Sequence, residues 1–165
     1  METIYVQRIG EIKKQKDELE KKLKVSLEIK GKQVTINGPS LEEYEATVIL
    51  EAISFGFSIQ AALILKEEDA IFRKINIKHV TRRKNLAIVK ARLIGTEGKT
   101  KRTLENLADC KILIKDNEIG IIGPADEIEE ATTGIEILIR GSKQSNVYNY
   151  LEKMNKKRKD KVKIA

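Results

Sequence analysis

The sequence is poor in the residues that build covalent and metal frameworks. Among its 165 residues only Cys110 is a cysteine and only His79 is a histidine. No disulfide can therefore form within one chain, and a four-ligand Cys/His zinc site is excluded. His79 also has no partner at a spacing typical of metal binding or acid–base catalysis, and Cys110 is most simply explained as a small core residue.

Aromatic residues and long apolar runs are scarce as well. There is no Trp, and aromatics make up 4% of the chain. This argues against RNA-binding modules that stack bases on exposed rings, but it leaves modules with an aliphatic base platform open. No run approaches the roughly 18 apolar residues of a membrane helix, and the N-terminus has no apolar stretch after a basic start. We therefore expect a cytoplasmic protein without contact to a membrane.

Catalytic constellations are absent from the sequence too. The acidic run Glu67-Glu68-Asp69 is typical of a solvated turn or helix start. We expect a binding protein that is not an enzyme and that carries no cofactor and no metal. A hydrophobic content of 41% is sufficient for the core of one large domain or two small ones.

Positive charge is concentrated near the C-terminus. The net charge is +7, and seven basic residues stand against one acid, Asp160, between Lys153 and Lys163. Such a segment is typical of contact with a polyanion, although a Lys-rich tail can also simply solubilise a protein.

The chain contains an internal repeat in which residue n matches residue n+85 over about fifty positions without a gap. Identical pairs include Ile9-Gly10 with Ile94-Gly95, Leu19-Glu20 with Leu104-Glu105, Gly38-Pro39 with Gly123-Pro124, and Glu45-Ala46-Thr47 with Glu130-Ala131-Thr132. The repeat predicts two tandem domains, residues 1–74 and 75–165.

Periodicity predicts the elements of each copy as β-α-β-β-α, an α+β fold. The second copy is predicted as a strand 86–93, a helix 99–108, a hairpin of strands 111–115 and 118–122, a helix after Gly123-Pro124 and a last helix from about Ser142. The first copy is predicted as a strand 3–8, a helix 11–24, two strands 25–30 and 33–37, and a helix 40–54.

The motif Gly95-Thr96-Glu97-Gly98 lies between the predicted strand and the predicted basic helix. Two interpretations compete. Gly98-Lys99-Thr100 matches the end of the phosphate-binding loop of NTPases, but the position of the leading glycine in that pattern is Leu93. The other interpretation is the G-x-x-G clamp of a KH domain, in which two glycines let the backbone approach the phosphates of a single strand.

The KH interpretation also predicts the surroundings of the clamp. Backbone N–H groups at the start of the following helix favour phosphate. Bases would lie in an aliphatic groove, although each candidate also suits a core; the candidates are Ile94, Leu104, Leu107, Ile112 and Ile114. In the first copy the second glycine of the motif is replaced by Lys13, so we interpret that copy as a degenerate one.

With these motifs the sequence resembles the archaeal small-subunit ribosome-assembly proteins related to the eukaryotic Partner of Nob. These proteins carry two consecutive KH domains with the glycine loop intact only in the second. The resemblance rests on the duplicated Gly-Pro-helix pattern, on the segment 93–102 and on Arg82-Arg83. One departure is Glu97, because KH loops often carry a basic or small residue there.

The resemblance implies two tandem type I KH domains, each a three-stranded antiparallel sheet packed on helices. It implies binding to the 3′ region of small-subunit ribosomal RNA, with the Nob endonuclease and the α subunit of archaeal initiation factor 2 as partners. The RNA-binding residues would be Arg82, Arg83, Ile94, Gly95, Thr96, Glu97, Gly98, Lys99, Lys101, Arg102, Leu104, Leu107, Ile112 and Ile114. The alternatives are a protein-interaction adaptor with two degenerate KH domains, or a KH protein acting on another RNA such as mRNA.

Overall fold

The computed structural model describes residues 1–164, so the last residue of the predicted second domain lies outside the described part. The chain divides into two units, residues 1–72 and a second unit that begins at Arg73. Each sheet has three strands, with the third strand in sequence at its centre, and the predicted α+β class is confirmed. Within the described residues no helix is both long and apolar enough to cross a membrane.

The first unit forms around the sheet β1-β3-β2, in which both pairings are antiparallel. Leu27, Val34 and Ile36 are buried and alternate with more exposed residues along β2 and β3, which is the pattern of a sheet covered on one face. The elements are β1 (Glu2–Tyr5), α1 (Ile9–Lys14), α2 (Lys16–Leu23), β2 (Ser26–Lys30), β3 (Gln33–Asn37), α3 (Ser40–Phe55), α4 (Ile59–Ala62) and a 3-10 turn (Leu63–Lys66).

The sheet of the second unit has the order β4-β6-β5, with β5 and β6 antiparallel; its strand β4 begins three residues before the boundary at Arg73. The central strand β6 is buried from Ile119 to Gly123, and α7 and α8 each pack against both α9 and α6. The elements are β4 (Ala70–Asn76), α5 (Ile77–Val80), α6 (Leu86–Ile94), a 3-10 turn (Thr96–Gly98), α7 (Lys99–Ala108), β5 (Lys111–Lys115), β6 (Glu118–Pro124), α8 (Ala125–Ile139) and α9 (Gln144–Ile164).

The two copies share their conformation from α2 to α3 and from α7 to α8, down to single hydrogen bonds. Glu20 Oε2 accepts a hydrogen bond from Leu27 N at 2.9 Å, and Glu105 Oε2 accepts one from Ile112 N at 3.0 Å. The helix-ending residues Lys24 and Asp109, 85 positions apart, both have a positive φ, 57° and 53°. The side-chain pattern and the backbone turns were therefore duplicated together.

Before α2 and α7 the copies differ, and here the predicted strand 86–93 is wrong. That segment is the helix α6, and β4 supplies the strand of the sheet. The buried residues of α6 are Val89 and Leu93, which are spaced i, i+4 as on one face of a helix. The other apolar residues of this short segment obscure that spacing in the sequence. Without the four-residue α5 and the C-terminal α9, the order in the second unit is thus β-α-α-β-β-α, and the glycine motif joins two helices.

The first copy has a shorter connection at this point. Residues 6–15 link β1 to α2, whereas residues 77–98 link β4 to α7. The predicted single helix 11–24 is divided at Gln15, whose φ of −113° and ψ of 21° are not helical. The first unit therefore lacks a helix equivalent to α6.

Cys110 lies in the core, where it packs directly against Gly123. Its Sγ donates a hydrogen bond to Ala108 O at 3.3 Å, and burial, followed by the nearby Glu127 carboxylate, raises the pKa of the Cys110 thiol to about 12. A Cβ at Gly123 would lie 2.8 Å from this sulfur. The thiol is thus uncharged at neutral pH, and the glycine makes room for it.

We expect Gly123→Ala to lower the free energy of unfolding by about 1–3 kcal/mol, because the added methyl group overlaps the sulfur of Cys110. Cys110→Ala removes that sulfur, so the double variant should lose less stability than the sum of the two single variants. Urea unfolding of the four proteins measures the coupling, and strictly additive effects would contradict the packing described here.

Candidate nucleic-acid interface

The glycine loop, residues 95–98, connects α6 to α7 through three residues with positive φ. Gly95 (φ 74°, ψ 174°) ends α6, and Glu97 (φ 54°) and Gly98 (φ 74°, ψ 14°) follow in the left-handed region. Only glycine adopts such angles without steric cost, although single Asp, Asn and similar residues tolerate the left-handed region. The two glycines thus allow the sharp reversal between the helices.

Three backbone carbonyls of this loop, those of residues 95–97, accept internal hydrogen bonds. Gly95 O accepts from Gly98 N at 3.2 Å, and Thr96 O accepts from the N–H of Lys99. Glu97 O accepts from Arg102 Nη1 at 2.8 Å. Carbonyl oxygens repel an anion, so a loop whose oxygens are engaged by its own donors offers less repulsion to phosphate.

Gly95 is required for a second reason, its contact with Thr100 in the first turn of α7. A Cβ at Gly95 would lie 2.2 Å from Thr100 Oγ1 and 2.7 Å from Thr100 N. At Gly98 the nearest atom to an added Cβ is Arg102 Nη1, at 3.4 Å. The loop is therefore tight on the side of Gly95 and open on the side of Gly98.

A partly buried hydrogen-bond network holds the loop in place. Thr100 is 5% exposed, and Gln144 Nε2 donates to its Oγ1 at 3.2 Å and to Arg92 O at 3.4 Å. The Arg92 guanidinium in turn donates to Leu138 O and Ser142 O. Sequence reasoning missed Gln144 and Arg92, because nothing local distinguishes them from ordinary surface residues.

The basic residues of α7 have different tasks. Lys101 Nζ pairs with Glu105 at 3.1 Å, and the same carboxylate accepts from Ile112 N, which ties α7 to β5. Arg102 is exposed and bonded to the loop, and Lys99 is exposed. Lys99 and Arg102 are thus available to a ligand, whereas Lys101 is engaged in the fold.

The five predicted groove residues separate into core and surface. Leu104 and Ile112 are 2% and 3% exposed, so they support the groove from below, out of reach of a base. Ile94 is 38% exposed, and Leu107 and Ile114 are half-buried. These three form the accessible part of the predicted set.

The misassigned helix α6 adds aliphatic surface that the sequence analysis did not name. Ala87 and Ala91 are exposed, at helical spacing from Ile94, and Ile88 beside them is 55% exposed. This face can be found only when α6 is recognised as a helix. In a strand, one face would hold alternate residues, and Ala87, Ala91 and Ile94 would not lie together.

The equivalent residues of the first copy form no loop. Residues 10–13 lie inside the helix α1. Gly10 has no positive φ, and a Cβ there would meet no atom within 4 Å. The first unit therefore lacks the backbone reversal on which a clamp depends.

The basic C-terminal segment is the helix α9, packed by Val147 and Leu151. Arg158 is 18% exposed and pairs with Glu127 at 3.4 Å, with Asp109 at 3.8 Å and with Glu130. Its charge is thus engaged in the fold. The other basic residues of the segment are exposed; they are Lys153, Lys156, Lys157, Lys159, Lys161 and Lys163.

The two units differ in sign of charge. The first has 10 basic and 13 acidic residues, a net charge of −3, and the second has 22 basic and 12 acidic residues, a net charge of +10. A polyanion is attracted to the second unit by its overall field.

Comparison with known proteins identifies the class of this second unit. A family model for the second KH domain of PNO1, described as a eukaryotic-type KH-domain (KH-domain type I), matches residues 71–156. The predicted clamp motif therefore lies in a type I KH domain, where it joins two helices.

Three similar proteins extend the likeness to both units. A KH domain-containing protein of Methanocaldococcus jannaschii is 31% identical over 93% of this chain and 70% of its own length. The pre-rRNA-processing protein pno1 of Emericella nidulans is 28% identical, with 85% of this chain and 58% of its length covered. A chain from the Pyrococcus horikoshii complex of a/eIF2alpha, aDim2p and rRNA superimposes with a TM-score of 0.85 at 30% identity, covering 94% of each chain. The chain belongs to the PNO1 family of KH-domain proteins.

We expect the two glycines to respond unequally to alanine. Gly98→Ala adds left-handed strain of about 1–2 kcal/mol, which lowers Tm by about 4–8 °C per kcal/mol in a domain of this size. Gly95→Ala adds a clash with the backbone of Thr100 to its strain, so its loss of Tm should be at least twice as large. Thermal melts of both variants test this, and equal losses would contradict the tight packing at Gly95.

Proposed function

We propose that this chain binds single-stranded RNA through the glycine loop and groove of its second unit, and that its RNA is the 3′ region of small-subunit ribosomal RNA during ribosome assembly. The observation that carries the proposal is the loop at Gly95–Gly98, whose carbonyls are held by internal donors at the start of a basic helix. On this proposal the protein acts by binding alone, in the cytoplasm.

The geometry supports phosphate binding by the backbone and base binding by aliphatic side chains. Phosphates approach the glycine loop and the N-terminal end of α7, where the helix dipole favours negative charge. Lys99 and Arg102 add exposed positive charge beside the loop. The bases then lie on the aliphatic surface of Ile94, Leu107 and Ile114, which suits a chain with few aromatic residues.

The structure argues against the interpretation of the motif as the phosphate-binding loop of an NTPase. A phosphate-binding loop of that kind follows a strand, whereas here the helix α6 precedes the motif. A nucleoside triphosphate is therefore not the ligand that the loop favours.

The identity of the RNA and of the partners is supported by the relatives. The Pyrococcus chain was crystallised with rRNA and a/eIF2alpha, and the Emericella relative is named for pre-rRNA processing. We propose the same RNA class and the α subunit of the initiation factor as partners of this chain. The Nob endonuclease is a further proposed partner, and Arg82 and Arg83 are part of the proposed RNA-binding set.

A matched pair of aspartate substitutions tests the clamp. Gly98 and Gly10 both have room for a side chain, and Asp is among the residues that tolerate the left-handed angles of Gly98. We expect Gly98→Asp to weaken RNA binding at least tenfold, because the new carboxylate stands where phosphate approaches. Gly10→Asp should change the affinity less than twofold. Fluorescence anisotropy with a labelled fragment from the 3′ region of the rRNA measures both.

Thermal melts of the two variants serve as the folding control. Equal loss of affinity in folded Gly98→Asp and Gly10→Asp would contradict a clamp confined to the second unit. Unchanged affinity in folded Gly98→Asp would show that the RNA is bound outside the glycine loop, whereas a wild type that binds no RNA would favour the adaptor alternative.

Another prediction concerns the six exposed lysines of α9. In the variant all six are replaced by glutamine, and Arg158 is retained. If they neutralise about four phosphates, the slope of log K against log salt should flatten by roughly 3, at about 0.7 per phosphate on a single strand. Preference between RNA sequences should persist, because phosphate contacts carry no base information. A matched variant with six arginines keeps the charge and should keep the slope. An unchanged slope in the glutamine variant would make α9 a solubilising helix.

A further inference from the structure

A second concentration of positive charge lies outside the glycine loop, in two segments of the second unit. One is the turn between α8 and α9, residues 140–143, and the other is the connector between α5 and α6, residues 81–85. We call their exposed basic residues the turn cluster; its members are Arg82, Arg83, Lys84, Arg140 and Lys143.

Arg83 and Gly141 bring the two segments together. A Cβ at Gly141 would lie 2.8 Å from Arg83 Nη2 and 3.7 Å from its Cζ, so the guanidinium lies directly against the turn. Gly141 has a φ of 113°, a conformation that favours glycine. The absence of a side chain at Gly141 thus permits an arginine to approach the segment that carries two further basic residues.

Little negative charge compensates this cluster. Arg140 faces Glu136 at 3.8 Å, the distance of a weak surface pair. Within residues 1–164 the structure gives no ion pair and no side-chain hydrogen bond to the charged groups of Arg83 and Lys143. Like charges held close together repel each other, and a bound anion relieves that repulsion.

The turn cluster is also fixed relative to the glycine loop. Lys143 is followed by Gln144, whose amide bonds Thr100, and Thr100 touches Gly95. Arg92, in the last turn of α6, donates to Ser142 O. The clamp and the turn are therefore joined through one hydrogen-bonded network, which holds them in a fixed relation to each other.

We propose that the turn cluster is a second phosphate-binding site, which takes backbone phosphates of the RNA strand beyond the nucleotides held by the glycine loop. This inference rests on the proposed RNA binding of the clamp and adds a site to it. Its lysine and arginine side chains meet phosphates and read no bases. The site therefore increases affinity and salt dependence for longer RNA without changing sequence preference.

Nested RNA fragments separate the two sites. The core fragment contains only about four nucleotides, the length that a KH loop clamps, and the extended fragments add flanking nucleotides at the 5′ or at the 3′ end. The full-length protein should bind one extended fragment more tightly than the core. In Arg140→Gln/Lys143→Gln this advantage should disappear while the affinity for the core fragment is retained. The salt slope for the extended fragment should fall by about 1.4, at about 0.7 per phosphate.

Lys21→Gln/Lys24→Gln is the matched control, since both lysines are exposed in the first unit and the change in net charge is the same. It should behave as the wild type. Thermal melts show whether Arg140→Gln, which removes the pair with Glu136, disturbs the turn; if it does, Lys143→Gln alone should lower the slope by about 0.7.

The proposal is overturned if the wild type shows no advantage for either extended fragment, or if the double variant keeps that advantage. It is equally overturned if the double variant loses core and extended binding to the same extent. A wild type that binds none of the fragments would instead refute the proposed function, and the turn cluster with it.

Discussion

The contact between Gly95 and Thr100 is the constraint on which the second unit's binding surface depends. Thr100 is buried against a backbone that leaves no room for a Cβ, and it fixes the angle at which α7 leaves the loop. The remaining features follow from that angle. Arg102 reaches Glu97 O, the loop carbonyls are occupied, and the start of α7 is directed at the position of a ligand. A loop with a side chain at position 95 would open, and its donors would no longer be arranged together.

The first unit shows what the same sequence pattern becomes without this constraint. It has the hydrogen bond between Glu20 and Leu27 and a three-stranded sheet like that of the second unit, yet Gly10 lies inside the helix α1. Lys13 replaces the second glycine, and the connection to α2 is too short for a helix like α6. The first unit thus keeps the scaffold and loses the loop, while its net charge of −3 reduces any attraction to RNA.

Much of this architecture could be predicted from the sequence, because repeated glycine, proline and apolar positions report on local backbone and burial. The hairpin at Asp116-Asn117 and the helix 99–108 are present as predicted. The error at 86–93 arose because a short apolar run suits both a strand and a buried helix, and only the pairing of β4 in the sheet decides between them. The contacts of Gln144 and Arg92 join residues 44 and 46 positions apart, and no local pattern encodes such distances.

The basic helix α9 illustrates why charge has to be assigned residue by residue. Its composition predicts a single polycationic segment, yet Arg158 pairs with three carboxylates and anchors the helix to α8 and to the end of α7. Burial of an arginine without these partners would be costly. The anchored arginine fixes the direction of the helix, so the surrounding lysines become an ordered surface instead of a mobile tail. Because Gln144, at the start of the same helix, bonds Thr100 beneath the glycine loop, the position of that lysine surface is coupled to the position of the clamp.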